Sequence, residues 1–171
     1  MATLFDDAMA HHLWATERLL DVCDTLTPDQ LAAPVPGTYG SILATLKHLV
    51  SSDAGYLGSF REWPQRIDEE DDSVTLADLR AAIGENRHGW TELLAADPDG
   101  EADVPERGKR WSFHAPVGFR LAQVVHHGTD HRSQVCTALT GLGIAPPDID
   151  VWDYGDATGR TRKEELDTTE G

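Results

Sequence analysis

Lysine is scarce in this chain. Only Lys47, Lys109 and Lys163 are present, and all Lys and Arg together number 14 against 30 Asp and Glu. The resulting formal net charge of -16 repels DNA and anionic lipid surfaces, so nucleic-acid and membrane-surface binding, both of which rest on basic patches, are not expected. Cysteine is scarcer still. Cys23 and Cys136 sit inside helical patterns rather than in a spaced framework, which argues against a disulfide scaffold and reads each as a small core or surface residue. No run of about 18 apolar residues exists to cross a membrane. The opening Met-Ala-Thr-Leu-Phe-Asp-Asp has neither the basic nor the apolar region of a secretory signal. The expectation is a cytoplasmic protein.

What is present is an ordinary globular composition, 40% hydrophobic and 26% charged, in 171 residues, enough for one domain with its own core. Four long segments carry helical periodicity. The first runs from about Thr3 to Asp24 with Phe5, Met9, Leu13, Thr16, Leu20 and Cys23 on one stripe. After it, Thr27-Pro28-Asp29-Gln30 reads as a capping box with proline at the first helical position, opening a short turn of helix. The second long helix spans about Ser41 to Glu62 and stops before Pro64. Asp68 to Asp72 reads as an acidic, solvated loop. The third helix runs from about Thr75 to Ala96, and Glu101 to His114 reads as irregular with a turn at Gly108-Lys109. The fourth starts near Pro116, reaches Thr140 and is closed by Gly141. A short ordered stretch then ends near Tyr154, with Trp152 placed to cap the helices. This predicts an all-α chain, a single four-helix bundle over residues 1–157, with 158–171 a polar disordered tail. Bundles of this size often pair, so a homodimer is compatible with the pattern.

The chemistry-bearing feature is Val-Val-His127-Gly-Thr-Asp-His131 in the fourth helix. Residues four apart stack on one helical face, and two imidazoles held that way can grip one divalent ion. A third histidine from another helix would complete a site with open positions, the form of a catalytic rather than a structural metal. On the helical wheel Leu121, Val124, Val125, Val135, Ala138, Leu139 and Leu142 define an apolar arc. His131 lies inside it, His127 at its edge, and His126 turns toward solvent. Gly128 also lies on the arc and leaves room for another helix or a ligand. The alternative is a pair of core or boundary histidines satisfied by hydrogen bonds, and spacing alone does not choose between the two. His48 shares a face with Ala44, Thr45, Ser52, Gly55 and Ser59, away from its helix's apolar stripe, so periodicity reads it as a surface histidine. Asp53 and Arg132 fall in the middle of apolar stripes; such charges are expected to pair with each other or another core residue, or to orient a ligand or bind substrate. His12 reads as a core-boundary residue, His11 and His88 as surface, and Trp14, Trp63, Trp90 and Trp111 as packing. No Ser-His-Asp or Cys-His constellation is evident.

Three blocks of this sequence resemble the DinB/YfiT-like superfamily of metal-binding four-helix bundles. His12-Leu13-Trp14-Ala15-Thr16-Glu17-Arg18-Leu19-Leu20 is similar to its first-helix pattern. Tyr39-Gly40-Ser41-Ile42-Leu43-Ala44-Thr45-Leu46-Lys47-His48-Leu49 resembles the segment that carries its first ligand. His126-His127-Gly128-Thr129-Asp130-His131-Arg132-Ser133-Gln134 resembles its second metal motif, from which it departs at His126, Asp130 and Ser133. The resemblance implies His48, His127 and His131 as ligands, overriding the helical wheel for His48. It also implies a divalent ion, zinc or nickel among the first-row metals, and the activity of relatives that are thiol transferases and isomerases using low-molecular-weight thiols of the bacillithiol or mycothiol type. The expected function is therefore a metal-dependent S-transferase acting on a small-molecule substrate. A hydrolase that activates water at the same ion and a non-catalytic metal- or small-molecule-binding stress protein are the alternatives.

Overall fold

A computed structural model describes residues 4–164, and the chain is predominantly α-helical. Among the described residues six helices and one two-stranded sheet follow in the order α1 Leu4–Cys23, α2 Pro28–Ala32, α3 Ile42–Phe60, α4 Leu76–Ala95, β1 Asp103–Arg107, β2 Ser112–Pro116, α5 Val117–Gly141 and α6 Val151–Thr158. Helix α1 packs on α4 and α5, and α3 packs on the same two helices. The stripes read from the sequence are the faces that turn inward. Met9, Leu13, Leu20 and Cys23 of α1 meet Leu46 and Leu57 of α3, Ile83 of α4, and Val124 and Leu139 of α5 in one core. Each such aliphatic side chain contributes about 1.5–3 kcal/mol by leaving water. No helix among the described residues is long and apolar enough to cross a membrane.

Helix starts follow local chemistry. Thr27 and Gln30 form the expected capping box on α2. Thr75 Oγ1 accepts from the Asp78 N–H at 3.2 Å while the Asp78 carboxylate accepts the Thr75 N–H at 2.8 Å. At the start of α3, Ser41 Oγ accepts the Ala44 N–H at 3.1 Å. Replacing this cap by alanine, Ser41→Ala, is expected to cost about 1 kcal/mol, read as a lower urea midpoint at unchanged slope.

The structure corrects the sequence reading at several points. The segment expected to be irregular contains an antiparallel hairpin, with Val104 opposite Ala115 and Pro105 opposite His114; Gly108-Lys109 does lie in its turn. A lone hairpin is marginal in water, and this one is held by tertiary contacts. Val104 and Ala115 are buried, and the buried Arg120 of α5 donates to the Val104 carbonyl through Nε at 3.2 Å and an η nitrogen at 2.9 Å. Helix α5 is closed by Gly143 rather than Gly141. Gly143 takes φ 75°, and the N–H groups of Gly143 and Ile144 return to the carbonyls of Thr140 and Leu139, both at 3.0 Å, the Schellman pattern. Trp152 caps nothing, being 75% exposed. Tyr154 does the packing instead, its ring 5.7 Å from Trp14 and 5.9 Å from His11. Trp111 is also exposed. At the expected start of the tail, Gly159 adopts φ 71°, the N–H of Arg160 donates to the Gly155 carbonyl at 2.8 Å, and Arg160 pairs with Asp7 at 2.5 Å. The part of that tail from 165 to 171 lies outside the described residues.

Candidate metal centre

Packing α3 against α5 brings His48 to His127 and His131. The rings of His127 and His131 lie one turn apart on the same face, meeting edge-to-face with centroids at 4.4 Å, as their spacing predicts. His48 lies 5.1 Å from the first and 4.7 Å from the second. One ligand atom of each of the three histidines lies within 4.8 Å of those of the other two, and the Nε2 atoms of His48 and His127 are 3.2 Å apart. Two nitrogens bound to one zinc at about 2.0–2.1 Å with tetrahedral angles would stand roughly 3.3 Å apart. The three histidines can therefore hold a metal ion.

Electrostatics agree with that chemistry. Burial first, then the neighbouring His131 and His48, push the His127 pKa down to about 4, with Asp53 acting in the opposite direction. Burial and His48 lower His131 as well. Both shifts favour the neutral form of His127 and His131, which keeps a lone pair for a cation. The Nδ1 atoms of His127 and His131 are buried with no hydrogen-bond partner. Gathering polar rings in a half-buried cluster is costly, and a shared cation would offset that cost at the nitrogens that face one another. The depressed His127 pKa has a consequence for the metal-free protein. Its contribution to stability is complete above the unfolded value of 6.5 and is lost as pH falls toward about 4, because the unfolded chain binds the proton first. Urea midpoints of metal-free protein are expected to fall over that window, and to fall less steeply in His127→Gln.

His48 is not the surface residue that periodicity suggests. The 61–75 connection folds back over its face of α3. The buried Lys47 donates Nζ to the Asp71 carbonyl at 2.9 Å, and Gln65 Nε2 donates to Ser51 Oγ at 2.6 Å. Glu69, part of the acidic loop read as solvated surface, turns inward instead. Its carboxylate oxygens lie 3.2 and 3.1 Å from His48 Nδ1. Tyr39 stacks on His48 with centroids at 4.0 Å and donates its hydroxyl to Glu69 Oε2 at 3.1 Å. On the α5 side, Tyr56 meets the His127 ring edge-on at 5.5 Å and accepts from Gln123 Nε2 at 3.2 Å. Glu69, Tyr39, Tyr56 and Gln123 were not singled out in the sequence, and their only signal there is polar or aromatic character near a turn or on a helix face.

Asp53 and Arg132 are 1% and 2% exposed and meet through His12, which is fully buried rather than at the core boundary. The Asp53 oxygens both lie 3.0 Å from His12 Nε2. Arg132 donates to His12 Nδ1 at 2.9 Å and to the His12 carbonyl at 3.1 Å. A guanidinium only donates, so His12 Nδ1 is the lone-pair nitrogen and Nε2–H faces the carboxylate. The result is a neutral imidazole between a buried anion and cation. Burial lowers Arg132 to about 10, against the pull of Asp53, so it keeps its charge. Gly128 makes room for this arrangement, since a Cβ there would fall 2.2 Å from His12 Cε1.

The remaining candidates separate clearly. His126 is exposed beside Asp130, as the wheel predicts, and His88 is exposed beside Glu92. His11, expected at the surface, bonds the Ile149 carbonyl at 2.8 Å, and burial lowers its pKa. A Ser-His-Asp line that the sequence did not reveal exists on the hairpin, where His114 joins Ser112 at 2.9 Å and Asp103 at 2.7 Å. All three of its side chains are exposed, in water rather than in a sheltered site. Burial raises the Cys23 thiol to about 12 and also raises Cys136, so neither is a ready thiolate.

No curated protein matches the chain. The model of the DinB family matches residues 1–166, nearly the whole sequence and all three histidines, and the chain therefore belongs to the DinB family.

Proposed function

We propose that this chain is a divalent-metal-dependent enzyme that transfers a low-molecular-weight thiol of the bacillithiol or mycothiol type to a small electrophile. In this reading α1, α3, α4 and α5 form a four-helix bundle, and His48, His127 and His131 are the ligands of a zinc or nickel ion between α3 and α5. The observation that carries it is the convergence of one ligand atom from each of the three histidines within 4.8 Å. An ion bound there supplies positive charge that favours the deprotonated form of a coordinating thiol at neutral pH, and imidazole with thiolate suits zinc.

The chain's own side chains fit that role. Three protein ligands leave a coordination position for a small molecule. Tyr39, half exposed beside His48, gives the site an edge that faces solvent. With both cysteine thiols raised by burial, the nucleophilic sulfur comes from a cosubstrate. The test is turnover of an electrophile panel by zinc- or nickel-loaded protein with and without added thiol. Turnover that requires thiol, together with a thiol-induced change in the visible spectrum of the cobalt-substituted protein, is the expected result. Equal turnover without thiol would make the protein a hydrolase. No turnover and a thiol-insensitive cobalt spectrum would make it a non-catalytic binding protein.

A further inference from the structure

We propose that Glu69 is a positioning residue of the metal centre: its carboxylate holds His48 as the Nδ1–H tautomer and so presents an unprotonated Nε2 to His127 and His131. This rests on the metal reading of the site, but its first consequence is visible without the ion. A carboxylate only accepts hydrogen bonds, so the ring nitrogen 3.1 and 3.2 Å from its two oxygens carries the proton. In a neutral imidazole the lone pair then sits on the other nitrogen. That nitrogen is the one 3.2 Å from His127 Nε2.

The ring is gripped on an edge and a face. Glu69 holds the Nδ1 edge, and Tyr39 lies flat against it at 4.0 Å with an interplanar angle of 18°. The Tyr39 hydroxyl donates to the same carboxylate at 3.1 Å, so edge and face are braced against each other. Both braces are anchored. The Tyr39 N–H donates to Gln134 Oε1 on α5 at 2.7 Å, and the Glu69 loop is tied to α3 by Lys47 at the Asp71 carbonyl. Glu69 is not placed as a ligand, because its oxygens face the ring edge remote from the cluster. Its side chain is 30% exposed, so water screens its charge only in part. A carboxylate behind a ligating histidine fixes ring orientation and raises ligand basicity, and its loss typically weakens metal binding about 10–100-fold.

The test uses full-length protein with ¹⁵N-labelled histidine. Two-bond proton–nitrogen correlation spectra of the metal-free form are expected to show His48 protonated at Nδ1. Glu69→Ala is expected to move the population toward Nε2–H, whereas Glu69→Gln, whose amide oxygen still accepts, retains Nδ1–H. Zinc affinity by competition with a chromophoric chelator is expected to fall about 10–100-fold in Glu69→Ala and less in Glu69→Gln, with both variants melting as folded proteins by circular dichroism. An unchanged tautomer and unchanged zinc affinity in Glu69→Ala would overturn the proposal while leaving the metal reading intact. A tautomer that shifts in a protein whose wild type takes up no zinc would uphold the hold of Glu69 on His48 and overturn its role at a metal centre.

Discussion

Protein purified without a polyhistidine tag is expected to contain about one zinc or nickel ion per chain, and His131→Ala to lose it. Among the ligand substitutions this one isolates the ion from the fold best. His131 is 9% exposed at the α3–α5 contact, its Nδ1 has no hydrogen-bond partner to strand, and it takes no part in the His12–Asp53–Arg132 chain. The loss of affinity should exceed the about 10–100-fold that follows removal of an outer partner of a ligand, because two histidines alone rarely retain a first-row ion against a chelator. His126→Ala is the matched control. It lies one residue from His127 but is exposed beside Asp130, and its metal content should equal that of the wild type. Plasma mass spectrometry after gel filtration reads both. Full stoichiometry in His131→Ala, or no metal in the wild type even after reconstitution, would sink the site and the enzymatic reading with it.

Asp53→Ala is expected to destabilise the protein by about 3–5 kcal/mol, against a total stability of roughly 5–15 kcal/mol for a domain. The reason is asymmetry. Asp53, His12 and Arg132 satisfy one another across α3, α1 and α5 with exposures of 1%, 0% and 2%, and removing the anion leaves a buried guanidinium uncompensated. Removing both charges avoids that, so Asp53→Leu combined with Arg132→Met should recover much of the loss. Gly128→Ala probes the same contact from the steric side. Its Cβ would fall 2.3 Å from His12 Nδ1 and 2.7 Å from an Arg132 η nitrogen, costing about 1–3 kcal/mol through forced displacement. Urea midpoints at constant slope give the values. A loss below about 1 kcal/mol in Asp53→Ala, the range of an exposed ion pair, would mean that water reaches these groups.

The two arrangements were legible in the sequence to different degrees. His127 and His131 stood out because their relation is local: four residues on a helix place two rings on one face whatever the rest of the chain does. Asp53 and Arg132 were recognisable as charges in need of a partner, since each interrupts an apolar stripe. Their shared partner was not recognisable, because His12 lies 41 residues from Asp53 and 120 from Arg132. His48 shows the limit most clearly. Its own helix places it on a face of small residues, and only the resemblance to a family raised it. What buries that face is a loop centred 21 residues away, with Glu69 indistinguishable in the sequence from its solvated acidic neighbours. The hairpin escaped notice for the same reason, as its short strands have little alternation and take their support from Arg120 of α5.

The long helices, their buried stripes, the capping box of α2 and the paired histidines of α5 follow from the chain alone, because periodicity, capping and i,i+4 spacing act within a few residues. That His48 meets that pair, that Glu69 and Tyr39 brace it, and that His12 joins Asp53 to Arg132 came from packing distant parts of the chain together. Those contacts join side chains from different helices and loops, and no local rule of the chain specifies which distant polar group will satisfy a buried one.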